Sequence, residues 1–221
     1  MRKKHRFMVA CIAVVLVLGI SLGVYASVKK NWISQAGEAY REYQNVDTKG
    51  VLAAYGGQEI TEKNVNYTVK MNALYYPEEI AGMSLSEQRK KAIEDIAESM
   101  ILLEEAENRG LTATEKEIEA TIKSTIKAYE IPEGKKMIDE YCTAIGITFE
   151  EYLEIIAEQT PRIMARQKLR EELGKAYCIE HGLEYTSVNP PEEMVKAVDQ
   201  SVKEIFEAKR VEIEYYLDEK E

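Results

Sequence analysis

The chain has few of the residues on which most catalytic and metal sites depend. Its 221 residues include two histidines, His5 and His181, too few for a histidine-based triad or a multi-histidine metal site. HExxH and glycine-rich phosphate-loop patterns are absent. Acidic pairs such as Glu150 and Glu151 fall on predicted helix surfaces, and the pattern places no two carboxylates across a cleft. The sequence therefore predicts a protein that is not an enzyme and that needs no cofactor and no metal.

Cysteine is also scarce, and its spacing fits neither a zinc site nor a redox motif. The three cysteines are Cys11, Cys142 and Cys178. Cys11 lies within an apolar run, where it is expected to be a small apolar residue. Cys142 and Cys178 each stand beside a tyrosine in a helical pattern. Buried thiols packed in the core are the simpler interpretation, and a disulfide between the two is the alternative if this part of the chain faces an oxidising compartment.

One segment lacks charge altogether. Residues 7–26, FMVACIAVVLVLGISLGVYA, contain no charged side chain, and a 20-residue helix spans roughly 30 Å, the thickness of a bilayer core. Basic residues dominate before this run, which favours a cytoplasmic N-terminus and an extracytoplasmic remainder. We expect a retained transmembrane anchor, because the run is longer than the apolar part of a typical signal peptide. A signal peptide cleaved after Ala26 is the alternative.

The rest of the chain is strongly acidic. Residues 1–30 hold six Lys or Arg and no acid, so the remaining 191 residues carry 23 basic against 39 acidic side chains, a net charge of −16. Such a surface repels phosphate backbones, which argues against nucleic-acid binding and against docking on an anionic leaflet. Solubility is the ordinary explanation of this charge, and a preference for basic unfolded polypeptides is the alternative.

Apolar periodicity predicts that most of the chain is helical. Residues 31–45 form an amphipathic helix that either docks on the domain or stays near the membrane. Residues 89–114 contain a long helix that ends at Gly110. Its four-residue apolar block, residues 100–103, exceeds one helix face, so other helices must surround it. Pro161 should kink a later helix, and residues 77–84 should form a loop. The pairs that match a capping box are Ser84 with Glu87, Thr112 with Glu115, and Thr148 with Glu151.

Two segments have the character of strands. Residues 51–55 are apolar and are followed by Gly56 and Gly57, typical of a strand and a turn. At the other end of the chain, Val211, Ile213, Tyr215 and Leu217 alternate with polar residues, the period of a half-buried strand. A lone strand is not stable, so we expect these two segments to pair. The predicted fold class is mainly α, with an N-terminal transmembrane helix, a helical domain and a small two-stranded pairing of the terminal strands.

The order of these elements has a counterpart in known proteins. A short strand with a glycine turn, a Thr-capped helix, a long helix ending in NRGL, a further helix and the segment TFEEYLEIIAEQ follow one another over residues 50–173. This order resembles the N-terminal, peptide-binding chaperone domain of SurA-like and PrsA-like extracytoplasmic foldases. The chain departs from that family in having Ala54-Tyr55-Gly56-Gly57 where a VNG triplet is usual, and in carrying Pro161.

The resemblance implies a function as well as a fold. Full-length foldases of this kind add a parvulin-type prolyl isomerase domain, but 48 residues follow Leu173, too few for such a domain. We therefore expect a holding chaperone without isomerase activity. Methionine and tyrosine suit a surface that accepts varied apolar segments, although each of these residues is alternatively a core residue. The candidate client-binding residues are Met71, Tyr75, Tyr76, Met83, Tyr129, Met137 and Tyr141.

These predictions combine into one organisation of the chain. Residues 1–6 are a cytoplasmic basic tail, 7–26 the anchor, 27–48 an amphipathic juxtamembrane helix and linker, and 49–221 the SurA-like domain with a C-terminal helix and strand. The predicted protein is a single-pass protein of the cell membrane, secreted if cleaved after Ala26. It would bind unfolded or exported polypeptides without ATP. The alternative is a structural or assembly subunit that docks one fixed partner in an envelope complex.

Overall fold

The computed structural model describes residues 32–46 and 50–216. Within these ranges the protein is mainly helical, as predicted, with eight α-helices and one small sheet. The helices are α1 (Trp32–Asn45), α2 (Glu62–Tyr75), α3 (Pro77–Ile80), α4 (Leu85–Asn108), α5 (Glu115–Glu130), α6 (Pro132–Ile145), α7 (Phe149–Glu180) and α8 (Glu192–Lys209). The strands are β1 (Val51–Tyr55), β2 (Gln58–Thr61) and β3 (Glu214–Tyr215), and a 3-10 turn (Arg210–Glu212) joins α8 to β3.

Local signals set most helix ends. The predicted capping boxes at the starts of α4 and α7 are confirmed. Gly110, with a φ of +70°, follows α4 in the left-handed conformation that favours glycine. The predicted loop over residues 77–84 is wrong in part, because its first four residues form α3, with Pro77 at the first helical position, where the missing N–H costs nothing. Helix α7 continues through Pro161 to Glu180.

The capping box of α5 lies two residues later than predicted. The hydroxyl of Thr114 accepts the backbone N–H of Glu117, whose carboxylate accepts the N–H of Thr114 at 2.7 Å. Thr112 and Glu115 have the same spacing, so sequence alone does not separate the two pairs. A tertiary contact favours the later pair, because Lys168 of α7 reaches both the Glu117 carboxylate and the Thr112 carbonyl at 2.8 Å. The ammonium group of Lys168 and the Thr114 bonds lower the pKa of Glu117 to about 2.

The sheet has three strands in the order β2-β1-β3, all antiparallel. The predicted pairing of the terminal strands is confirmed, because Ala53 and Ala54 pair with Tyr215 and Glu214. The two-stranded arrangement was incomplete, since Gly56 and Gly57, at φ of +55° and +73°, turn the chain into a hairpin whose second strand is β2.

The C-terminal strand is shorter than the alternation of apolar and polar residues predicted. Val211 is 89% exposed and lies in the 3-10 turn, Ile213 is 6% exposed, and Tyr215 is 40% exposed. Leu217 lies outside the described residues. The helical path of α8 continues into the 3-10 turn, so extended backbone begins only at Ile213. This side chain, with Phe206 of α8, joins the apolar cluster beneath the sheet.

Helix α1 docks on the domain, one of the two predicted alternatives. Its residues Ala36, Tyr40 and Tyr43 are buried against α2 and α6. The helices approach closely where a Cβ added at Gly37 would lie 2.2 Å from the Cβ of Ala144. Glycine at this position therefore permits the α1–α6 contact.

Helix α4 is surrounded, as the apolar block predicted. Ile101 is buried with the sheet and α8, while Leu102 is buried between α7 and α8. Met100 and Leu103 are half-buried and face a different side, towards α2 and α7. The helix thus contributes to two apolar clusters and still has partly open side chains.

Both described cysteines are free and buried, as the core interpretation predicted. Burial raises the pKa of Cys142 to about 11, so its thiol is protonated at neutral pH. The sulfur of Cys178 lies 3.5 Å from that of Met194. His181 is the C-terminal cap residue of α7, and its ring stacks on Tyr177.

The predicted membrane segment, residues 7–26, lies outside the described residues. Among the helices formed by residues 32–46 and 50–216, none is both long enough and apolar enough to cross a bilayer.

The burial of Ile213 gives a direct test of the C-terminal packing. We expect Ile213→Ala to lower the free energy of unfolding by about 2 kcal/mol and the melting temperature by about 4–8 °C, because it leaves a void beneath the sheet. Val211→Ala is the matched control and should change the free energy by less than about 0.5 kcal/mol. Urea denaturation followed by circular dichroism measures both. Equal effects would show that the C-terminal segment does not pack as described.

Candidate functional site

A groove runs between α2, α4 and α7, and the turn that joins β1 to β2 closes one end of it. Its volume is about 710 Å³, within the range of pockets that bind small molecules or a few side chains of a peptide. Helix α4 packs on α2 and on α7, whereas α2 and α7 make no comparable contact with each other. They diverge on the groove side, where the half-buried side chains of α4 and α7 form the floor.

The floor of the groove is apolar. Ile96, Met100 and Leu103 occur at steps of four and three along α4, so their side chains lie on one face of the helix. Ile163 of α7 and Met71 of α2 complete the floor. Met71 is only 7% exposed, while the other four are half-buried. The floor therefore offers apolar surface that the domain itself leaves partly uncovered.

Two tyrosines form the rim where α2 ends. Tyr75 is 39% exposed and Tyr76 is 54% exposed, and their rings lie 6.3 Å apart with planes tilted by 56°. Pro77 begins α3 directly after them, so α2 stops at this point and both aromatic side chains project at the mouth of the groove. A tyrosine at this position can cover an apolar ligand while its hydroxyl stays in water.

The middle of the groove is polar along α4. Asp95 accepts hydrogen bonds from the Asn72 amide at 2.6 Å and from the Lys91 ammonium at 3.2 Å. Arg166 of α7 donates to the Ser99 hydroxyl at 2.9 Å, and Arg162 lies on the same wall. These bonds connect the walls and place positive charge on the α7 side.

The hairpin end of the groove is held by a carboxylate, Glu104. The Tyr55 hydroxyl donates to it at 2.5 Å and the Lys209 ammonium at 2.9 Å. These hydrogen bonds lower the pKa of Glu104. Burial raises the pKa of Tyr55 well above its ordinary value, and the neighbouring carboxylates of Glu104 and Glu212 add to this. The Glu104 carboxylate thus links α4 to both β1 and α8.

The structure brings together three of the seven candidate binding residues: Met71, Tyr75 and Tyr76 all line the groove. Met83 lies half-buried between α3 and α4, away from the groove lining. Tyr129 of α5 is half-buried, and its ring stacks on Phe149 at 3.7 Å. The last two lie in the core beside α1 and α7, Met137 at 4% and Tyr141 at 1% exposure.

Sequence reasoning missed most of the floor. Met100 and Leu103 belong to the apolar block that was predicted to be surrounded by helices, and Ile96 lies four residues before Met100 on the same helix. The signal that identifies them is the width of the apolar stripe on α4, which exceeds what one core contact can cover. Ile163 carries no such signal, because α7 is long and has apolar residues on several faces.

Within residues 32–46 and 50–216, no group of three or more Cys, His, Asp or Glu side chains has the geometry to hold a metal ion. The lining of the groove offers burial of apolar groups, with hydrogen-bonding and charged groups around them.

The Tyr55–Glu104 bond should make stability depend on pH in a defined direction. Because the folded pKa of Glu104 lies below its ordinary value of 4.5, its contribution is complete above that pH and is lost as the pH falls through the folded pKa. We expect Tyr55→Phe to cost about 1 kcal/mol at pH 7, and less at pH 3. This cost is smaller than is usual for a hydrogen bond to a charged group, because the Glu104 side chain is 45% exposed.

Urea titrations at the two pH values measure this difference. Tyr216→Phe is the matched control, since it removes a tyrosine hydroxyl bonded to the exposed carboxylate of Glu214 and should cost less than about 0.5 kcal/mol. A Tyr55→Phe effect that is the same at pH 7 and pH 3 would contradict the assigned contact.

Comparison with known proteins agrees with the architecture. A family model described as a SurA-like N-terminal domain matches residues 1–170, more than the span from residue 50 to 173 over which the motifs suggested the resemblance. Curated proteins and solved structures give no match. The family match includes no parvulin domain, and the SurA N-terminal domain is a chaperone module. Since the match covers well over half of the sequence, the chain belongs to the SurA-like N-terminal domain family.

Proposed function

We propose that the protein is a membrane-anchored holding chaperone that binds unfolded or exported polypeptides outside the cytoplasmic membrane. The observation that carries this proposal is the groove between α2, α4 and α7, with its half-buried apolar floor and its exposed tyrosine rim. Membership of the family makes an unfolded polypeptide the natural occupant.

The floor suits clients of varied sequence. Met71 and Met100 have flexible thioether side chains that adapt to differently shaped groups, and Tyr75 and Tyr76 can pack against apolar or partly polar side chains. Each apolar side chain of a client that leaves water in the groove contributes about 25 cal/mol per Å² of buried surface. Binding of this kind is reversible and needs no ATP, and we propose that it occurs without acceleration of prolyl isomerisation.

The anchor and the division of the chain are parts of the same proposal. Residues 7–26 would hold the protein in the membrane, 27–48 would form the juxtamembrane helix and linker, and 49–221 would form the binding domain. The support for the anchor is the uncharged run and its basic N-terminal flank. The packing of α1 on α2 and α6 means that an anchored chain would hold the domain close to the membrane.

Topology can be tested in membrane vesicles. We expect the mature protein to begin at its original N-terminus, to stay in the membrane pellet after carbonate extraction, and to expose its domain on the extracytoplasmic side. N-terminal sequencing and protease protection measure this. A mature chain beginning at Ser27 would show that a signal peptide is removed and that the protein is released.

Holding activity can be tested with the full chain in phosphatidylcholine nanodiscs. At stoichiometric ratios and without ATP, we expect it to suppress the aggregation of two chemically different denatured proteins, measured by light scattering. Tyr75→Ser with Tyr76→Ser should reduce this protection several-fold and leave the melting temperature within about 2 °C, since both side chains are exposed.

The matched control changes two exposed apolar residues outside the groove, Ile179→Ser with Val211→Ser, at 82% and 89% exposure. This variant should protect as well as the unmodified chain. If both double variants lose protection equally, the groove is not the binding surface. If the unmodified chain protects neither client, the holding function fails, and an assembly role with one fixed partner becomes the better account.

A further inference from the structure

The hairpin end of the groove carries an excess of negative charge. Three carboxylates line it, those of Glu104, Glu107 and Glu212. Lys209 and Tyr55 satisfy Glu104. Glu107 at the end of α4 and Glu212 in the 3-10 turn are both exposed, and no ion pair between described residues involves either of them.

The cations closest in sequence to these two carboxylates are engaged elsewhere. Arg109, two residues after Glu107, pairs with Glu105 and Glu172, each at 2.8 Å. Arg210, two residues before Glu212, pairs with Glu94 and with Glu207. The local arrangement therefore leaves two carboxylates beside the groove with no neighbouring cation in sequence to neutralise them.

The distance along α4 fixes where a charged group of a ligand would have to lie. Glu107 follows Leu103 of the apolar floor by four residues, roughly 6 Å of helix rise. An extended peptide advances about 3.3 Å per residue. A side chain that reaches Glu107 would thus lie about two residues from one that packs on Leu103.

We infer that the groove selects polypeptide segments in which a Lys or Arg lies about two residues from an aromatic or long aliphatic side chain. The apolar side chain occupies the floor at Met100 and Leu103, and the cation lies between Glu107 and Glu212. This inference rests on the proposed holding function and adds a preference in client sequence. Apolar packing supplies most of the affinity, and the carboxylates discriminate between clients.

The test compares three dye-labelled twelve-residue peptides that differ at one position, Phe-Ser-Lys, Phe-Ser-Gln and Phe-Ser-Glu at the centre of an otherwise neutral polar sequence. Fluorescence anisotropy with the full chain in phosphatidylcholine nanodiscs, corrected with empty nanodiscs, gives the Kd of each. At about 50 mM salt we expect the lysine peptide to bind about five-fold more tightly than the glutamine peptide, and the glutamate peptide most weakly. At about 1 M salt the difference should shrink to less than two-fold.

Two charge-matched double variants separate a local from a general effect. Glu107→Gln with Glu212→Gln should make the lysine and glutamine peptides bind equally, with the Kd of the glutamine peptide unchanged. Glu140→Gln with Glu193→Gln removes the same charge from exposed positions outside the groove and should retain the five-fold preference.

Each other outcome overturns a stated part of the account. Equal binding of the three peptides to the unmodified chain, or an equal loss of preference in both double variants, overturns the inferred selectivity and leaves the holding function in place. Failure of all three peptides to bind, together with failure to hold denatured proteins, overturns the proposed function itself.

Discussion

The packing of α4 is the constraint on which the rest of the structure depends. Five of its residues, Ile93, Ala97, Ile101, Leu102 and Ala106, are buried against the sheet, α7 and α8, and they connect two of the apolar clusters. These contacts cover only part of the wide apolar surface of α4. The side chains on its groove side, between α2 and α7, stay partly uncovered. The same width of apolar surface that fixes α4 in the core therefore leaves Met100 and Leu103 at the floor of a groove.

The C-terminal segment is part of this arrangement, although the family match ends at residue 170. Helix α8 packs on α4 and α7, Lys209 pairs with Glu104, and β3 pairs with the first strand of the sheet. This return of the chain places Glu212 beside the hairpin end of the groove. The segment from Lys209 to Tyr215 therefore both stabilises the domain and supplies part of the candidate site.

Under the proposed function, a groove of this composition would bind by covering apolar surface, and its charges would then adjust which segments are covered. The walls carry arginines on α7, and the hairpin end carries carboxylates. A client that is unfolded exposes apolar and charged groups close together, whereas a folded protein buries the first and exposes the second. Under the proposed function, such a site would therefore distinguish unfolded segments from native surfaces.

The sequence by itself determined the helical class, most helix ends and the pairing of the terminal strands, because caps, glycines and apolar periodicity act over a few residues. It did not decide between Thr112 and Thr114 as the cap of α5, because a contact with Lys168 selects one of two equivalent local patterns. It also placed Val211 and Ile213 on the same buried strand face, whereas the 3-10 turn leaves Val211 exposed. The site depended on tertiary structure even more. A methionine or tyrosine on an amphipathic helix has the same local signal in the core and at a groove, and only the way in which α2, α4 and α7 diverge separates Tyr75 from Tyr141.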